Sequence, residues 1–175
     1  AFADKGTEEP KIANFESLKT IAHNYQLIET EEEAKKLCDY LLTNKIISLD
    51  TETTSTHPID AELVGLSFSV KENEAFYVAV PADFKKALTI VNIFKKVYEN
   101  TEILKVGQNI KYDMEVLHNY GINVQGPMFD TMIAHYLIDP ELQHNMDYMA
   151  ETILHYRTIH IDELIGPKGK NQKNM

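Results

Sequence analysis

Apolar and polar positions alternate or recur along this chain in blocks that predict its elements. Tyr25–Ile28 is a short strand. Thr30-x-x-Glu33 is a capping box that opens a helix, with Leu37, Tyr40 and Leu41 on one face. Lys45–Thr53 holds Ile46, Ile47 and Leu49 and reads as a buried strand, followed by a polar loop over Thr53–Ala61. Leu63–Val70 and Ala75–Val80 are two more strands around the turn Lys71–Glu74, so the three form an antiparallel meander. Phe84–Tyr98 carries Leu88, Val91, Phe94 and Val97 at helical spacing. Ile103–Val106 is a strand, and Asn109–Asn119 is a helix that Gly121 ends, with Met114 and Leu117 on its core stripe. An extended piece at Ile122–Val124 leads to Asp130, which caps a helix over Thr131–Ile138. Asn145–Tyr156 is the last helix, with Met146, Met149 and Ile153 as its core stripe, and a basic tail starts at Gly166. The order predicts an α/β fold: a mixed sheet of three antiparallel strands, then strand–helix units, flanked by helices.

Composition narrows the class without naming it. At 175 residues, with 43% hydrophobic and 25% charged positions, the chain makes about one globular domain. Residues 1–20 read as a polar linker or boundary segment and 21–175 as the domain. No apolar run nears the roughly eighteen residues that span a bilayer, so no membrane is expected. A single cysteine, Cys38, excludes an intrachain disulfide and fits a reducing, cytoplasmic setting. The net charge of −10 argues against gripping long duplex nucleic acid by many basic contacts. It leaves open a site that holds a few nucleotides through metal ions. His144, His155 and His160 lack a cysteine partner or metal spacing, and are read as surface or helix-end residues.

The first strand ends in two acids. Asp50 and Glu52 are i and i+2, so they leave one face with Cα atoms roughly 6.6 Å apart. Like charges so placed repel unless a cation intervenes, and hard divalent ions prefer carboxylate oxygen. A strand end emerging into solvent accounts for the pair equally well. In the later helix Asn109 and Asp113 are i and i+4 on one face, opposite the core-facing stripe of Met114 and Leu117. A cap and a first-turn acid is the plainer reading of that helix alone. Together the motifs say more, because this helix follows the strand expected beside the first. Asp113 would then join Asp50 and Glu52.

Leu49-Asp50-Thr51-Glu52-Thr53 resembles the first motif of the 3′–5′ exonucleases with Asp-Glu-Asp-Asp active sites, and Val106-Gly107-Gln108-Asn109-x-Lys111-Tyr112-Asp113 the second. Leu63–Phe68, Asn119–Ile122, Phe129–Met132 and Gly169–Gln172 extend the resemblance to the proofreading domains of bacterial family A DNA polymerases (DNA polymerase I), over Tyr25–Gln172. The resemblance implies an RNase H-like fold and metal-dependent removal of nucleotides from a 3′ end. It makes Asp50, Glu52 and Asp113 ligands of two divalent ions, Mg²⁺ or Mn²⁺. Such ions, about 3.5–4 Å apart, activate water and stabilise a leaving oxygen. It assigns Asn109, Tyr112, Gln108 and Thr53 to the terminal nucleotide, with Thr56 in the same loop, whereas Asp130 remains a helix cap. The implied partners are a single-stranded or frayed DNA 3′ end and the polymerase region of the same parent chain, in a nucleoid-associated monomer.

One departure matters. The family's third motif, Tyr-x-x-x-Asp or His-x-x-x-x-Asp, is absent: Tyr136 meets Asp139 at the wrong spacing and Tyr148 meets Glu151. The chain stops at Met175, which reads as truncation before that motif, with the basic tail Lys168–Lys173 as a connector. A fragment with three of the four acids is expected to hydrolyse DNA slowly or not at all. An RNase D-like exoribonuclease and a non-catalytic exonuclease-like scaffold are the alternatives, the second disfavoured by the intact acids.

Overall fold

The computed structural model describes residues 15–160 together with Glu163 and Gly166; the expected basic tail and the first fourteen residues of the expected linker lie outside the described residues. In chain order the strands are β1 (Glu16–Ser17), β2 (Asn24–Ile28), β3 (Ile46–Thr53), β4 (Leu63–Ser69), β5 (Glu74–Ala79), β6 (Leu104–Gly107), β7 (Met128–Asp130) and β8 (Tyr156–Arg157). The helices are α1 (Glu31–Leu42), α2 (Phe84–Ile93), α3 (Lys95–Tyr98), α4 (Ile110–Asn119), α5 (Thr131–Ile138) and α6 (Met146–Leu154). Six strands form one sheet in the order β2-β5-β4-β3-β6-β7, and β1 pairs with β8 in a separate parallel ribbon. The expected architecture holds: β3, β4 and β5 are an antiparallel meander, while β6 and β7 add in parallel on the other side of β3.

Alternation along the strands sorts the sheet into two faces. The cross-strand rows Leu49–Phe68–Phe76 and Thr51–Leu66–Val78 are buried. Their core is completed by Leu37, Cys38 and Leu41 of α1 and by Val91, Phe94, Val97 and Tyr98. The Phe68 ring stacks on Phe94 with centroids 5.0 Å apart and tilts against Tyr98 at 5.8 Å. The opposite rows, Asp50–Ser67–Tyr77 and Glu52–Gly65–Ala79, present polar groups on the other face. Period-2 patterning thus delivers the two acids of β3 away from the core.

Local chemistry fixes most boundaries. Thr30 and Glu33 form the predicted capping box of α1. The single helix expected over Phe84–Tyr98 is two, broken at Phe94, whose N–H bonds to Val91 O while its ring serves the core. Ile122–Val124 is not a strand. Ile122 and Val124 are buried, but Asn123 N–H is taken by Glu99 Oε1 at 2.9 Å and Gln125 N–H by Tyr98 O at 3.0 Å. The edge strand forms only from Met128, after Gly126 turns at φ 83°, where a Cβ would stand 2.7 Å from Asn100 O. The expected core stripe of the last helix also differs. Met146 and Ile153 are more than half exposed and only Ala150 of α6 is buried.

Lys105 secures the crossing from β6 to β7. Its side chain is fully buried, and Nζ donates to Gln125 O at 2.7 Å and to Asn100 O, joining the two loops that flank the turn. Burial pulls its pKa below the usual lysine value. Lys105→Met, which keeps the apolar stem and strands both carbonyls, is expected to cost about 1–3 kcal/mol. A urea midpoint that does not move would refute that role for the ammonium.

Candidate active site

β3 supplies two acids and then changes course. The β3–β4 register shifts between Glu52 and Thr53, a bulge that follows the second acid directly and sends the chain into the 54–61 loop. Pairing of β3 with β6 ends at Ser48–Val106, and β6 gives way to α4 after Gly107. The far end of β3 is therefore free on that edge to meet a side chain from α4.

Asp113 makes that contact. Its Oδ1 accepts the Thr51 N–H at 2.9 Å and the Thr51 hydroxyl at 2.6 Å. Asp113 is 2% exposed and lies in the buried stripe of α4 with Ile110, Val116 and Leu117. The expectation that it would face away from the Met114–Leu117 stripe is thus corrected: the carboxylate is delivered through the helix's core-facing side, because its partner belongs to a core strand. Asp50 and Glu52 flank Thr51 and are half-buried.

The charge of Asp50 acts on each of the other two acids. Burial lifts the Asp113 carboxyl to about 7; the Thr51 hydrogen bonds oppose that rise and the charge of Asp50 adds to it. Asp50 is raised by burial, and Glu52 by burial and then by the charge of Asp50. Among the described residues no Lys, Arg or His forms an ion pair with any of them. An all-oxygen anionic set without a countercharge is the donor chemistry that Mg²⁺ and Mn²⁺ take. As they stand, however, no three His, Cys, Asp or Glu side chains among the described residues are positioned to hold an ion. One Asp113 oxygen is committed to Thr51.

The other expected site residues divide. The Thr53 and Tyr112 hydroxyls lie 2.5 Å apart and both reach Ser55 O, so they brace the loop after the bulge. Gln108 is held by the fold: Nε2 donates to His144 O at 2.6 Å and Oε1 accepts from the Thr131 hydroxyl, tying α4's approach to α5 and the segment before α6. Asn109 takes a left-handed conformation, φ 59° and ψ 43°, without a side-chain cap bond, and is exposed one turn before Asp113. Thr56 is exposed in the loop. Asp130 is the cap expected for α5, bonding Met132 and Ile133 N–H.

Sequence reading missed three features. Thr51, the donor that holds Asp113, has no signal of its own in the sequence. Tyr77 lies over Gly65, where a Cβ would stand 2.2 Å from the phenol oxygen, in the row beside Glu52, whose charge helps raise the phenol's pKa after burial. Its only sequence signal is the alternation of β5. His135 is buried, not superficial, with Nδ1 2.7 Å from Nδ1 of His144. A cavity of about 320 Å³ adjoins Asp50, lined by Ser48, Val106, Gln108 and the α6 residues Met146, Met149 and Ile153.

Comparisons with known proteins now bear on this geometry. A family model described as 3′–5′ exonuclease matches residues 25–173. DNA polymerase I of Borreliella burgdorferi is 35% identical over 164 residues, covering 90% of this chain and 18% of that protein. DNA polymerase I of Pseudomonas aeruginosa is 38% identical over 138 residues, 73% of this chain and 15% of that protein. The chain thus spans less than a fifth of either relative. Among solved structures, the catalytic core of RRP6 from Trypanosoma brucei superposes with a TM-score of 0.67 at 19% identity, over 85% of this chain and 39% of that one. Brucella melitensis NrnC with bound Mg²⁺ gives 0.61 at 18%, over 85% and 69%. These likenesses confirm the expected RNase H-like fold.

The raised Asp113 pKa has a stability consequence. The folded chain holds this proton more tightly than the unfolded chain, whose carboxyl titrates near 4. The contribution is therefore full below about pH 4 and is lost as pH rises through about 7. Urea midpoints of the metal-free protein relative to Asp113→Asn should fall across that window; parallel profiles would contradict the assignment.

Proposed function

The chain belongs to the 3′–5′ exonuclease family of DNA polymerase I, and on that premise we propose that residues 21–175 form a proofreading exonuclease domain that hydrolyses the terminal phosphodiester of a DNA 3′ end. One observation carries the reading: Asp113 of α4 is fastened to Thr51, between Asp50 and Glu52. Acids from two elements are thereby gathered without a neutralising side chain.

Asp50, Glu52 and Asp113 would hold two divalent ions, Mg²⁺ or Mn²⁺. When bound, such ions lower the pKa of water and stabilise charge on the leaving oxygen. The chain's own groups do the remaining work. The Thr51 N–H and hydroxyl fix one Asp113 oxygen and leave the other to turn toward the ions. Asn109, exposed and free of capping duty, would donate its amide to the terminal phosphate or sugar. Thr53 and Tyr112 hold the loop that grips the last nucleotide, and Gln108 supports α4 from behind rather than touching substrate. Such contacts suit single-stranded or frayed ends, because none reads a base pair. An acidic domain can use them when a basic partner, the polymerase region of the same parent chain, holds the duplex. We place the parent in the bacterial cytoplasm, acting on nucleoid DNA as a monomer.

Among the described residues the sheet face beside Asp50 is incompletely covered: Ile46 is 55% exposed and the cavity under α6 opens there. A further helical element bearing the Tyr-x-x-x-Asp motif would fill it and add the fourth acid. The 175-residue chain lacks that motif, so on its own it is a slow enzyme. DNA is favoured over RNA because the relatives at 35% and 38% identity are DNA polymerases.

With Mn²⁺, this chain should release single nucleotides slowly from the 3′ end of a DNA oligonucleotide, and more slowly from RNA. Asp50→Ala, Glu52→Ala and Asp113→Ala should each lower the rate by about a hundredfold or more. Rates insensitive to all three substitutions would reject the site, and digestion as fast as a relative that has the third motif would reject the proposed deficit.

A further inference from the structure

The start of α4 is unusual. Asn109 occupies the N-cap position but is left-handed and makes no side-chain cap bond. Its helix is capped from 21 residues away. Asp130 Oδ1 accepts Asn109 N–H at 3.2 Å and Oδ2 accepts Ile110 N–H at 2.9 Å. The same Oδ1 accepts Met132 N–H at 2.9 Å and Ile133 N–H at 3.2 Å, capping α5. One carboxylate thus receives four N–H groups from two helix N-termini, where the helix dipoles also favour a negative charge. Asp130 itself is pinned opposite Gly107 in the β6–β7 ladder, and the Thr131 hydroxyl donates to Gly107 O at 3.2 Å.

We infer that Asp130 is a positioning residue for the candidate active site, fixing the α4 N-terminus so that Asp113 lands on Thr51 and Asn109 is spared for substrate. Its functional meaning rests on the exonuclease reading above; the geometric part does not. Asp113 lies one turn beyond the capped N–H groups, so a shift of the first turn moves it directly. Contacts of this kind are sensitive, because a misplacement of about 1 Å in a site can cost roughly a hundredfold. The device also separates two duties that an ordinary N-cap asparagine would combine. Asp130 binds the helix, and the Asn109 amide stays outside the hydrogen-bond network of the fold.

The test compares Asp130→Ala and Asp130→Asn with Asp83→Ala, which removes the cap bond that Lys86 N–H donates to Asp83 at the start of α2, a helix that carries none of the three acids. Amide exchange reads the position of Asp113 without metal or activity, because the Thr51 N–H is protected by its carboxylate. In Asp130→Ala the Thr51 amide should exchange roughly tenfold faster or more, relative to Ile47 and Leu49 in the same strand, and the Mn²⁺ affinity should fall by about tenfold or more. Asp130→Asn keeps an acceptor for three of the four N–H groups but sets an amide against Ile110 N–H, so it should fall between. Asp83→Ala should lower the melting temperature and change neither readout. A Thr51 amide unmoved in Asp130→Asn, or moved equally in Asp83→Ala, overturns the inference. A Thr51 amide that responds in a chain whose unsubstituted form binds no Mn²⁺ upholds the positioning and overturns the exonuclease reading instead.

Discussion

The bond between Asp113 and Thr51 is the constraint on which the site depends. It is a charge-capable group brought into the core's edge and held by two donors of the strand that carries the other two acids. The two Thr51 donors fix one oxygen and favour the charged form, while burial, and after it the charge of Asp50, makes ionisation costly. The site is thus built under electrostatic tension that a cation would relieve. Several features of the fold serve this one contact: the end of β6 pairing at Val106, the bulge after Glu52, and the shared cap at Asp130.

That tension would reconcile the net charge of −10 with the polyanionic substrate proposed above. A surface with this excess of acids cannot hold DNA by counterion release alone. Bound divalent ions would reverse the local sign only at the carboxylates of β3 and α4, confining attraction to the terminal phosphodiester. Of the polar groups around the acids, Ser67 is small, the Thr53 and Tyr112 hydroxyls are engaged with each other and with Ser55 O, and the Tyr77 phenol lies over Gly65. They shape the opening more than they charge it.

Much of this was legible in the sequence because it depended on local rules. The capping box at Thr30, the alternation of β3, β4 and β5, and the Asp130 cap each follow from residues a few positions apart. The pair Asp50 and Glu52 shared a face because strands have period two. What escaped depended on distant partners. No spacing rule says that Thr51, pointing to the core, would meet Asp113, since that needs the packing of α4 against the strand's free edge. Phe94 fits a helix by period, yet the chain tightens there as its ring stacks on Phe68. Ile122 and Val124 alternate like a strand, but their segment's N–H groups are claimed by α3's end. Met146 and Ile153 recur like a core stripe and instead border a cavity beside Asp50.

The central claim is that acids from β3 and α4 share cations at one place. Anomalous X-ray scattering from crystals soaked in Mn²⁺ tests it most directly. The account predicts density between the carboxylates of Asp50, Glu52 and Asp113, with the Asp113 oxygen not bonded to Thr51 turned toward it. Mn²⁺ found only elsewhere, such as at the His135–His144 pair, with the Asp113 carboxylate unchanged, would contradict it.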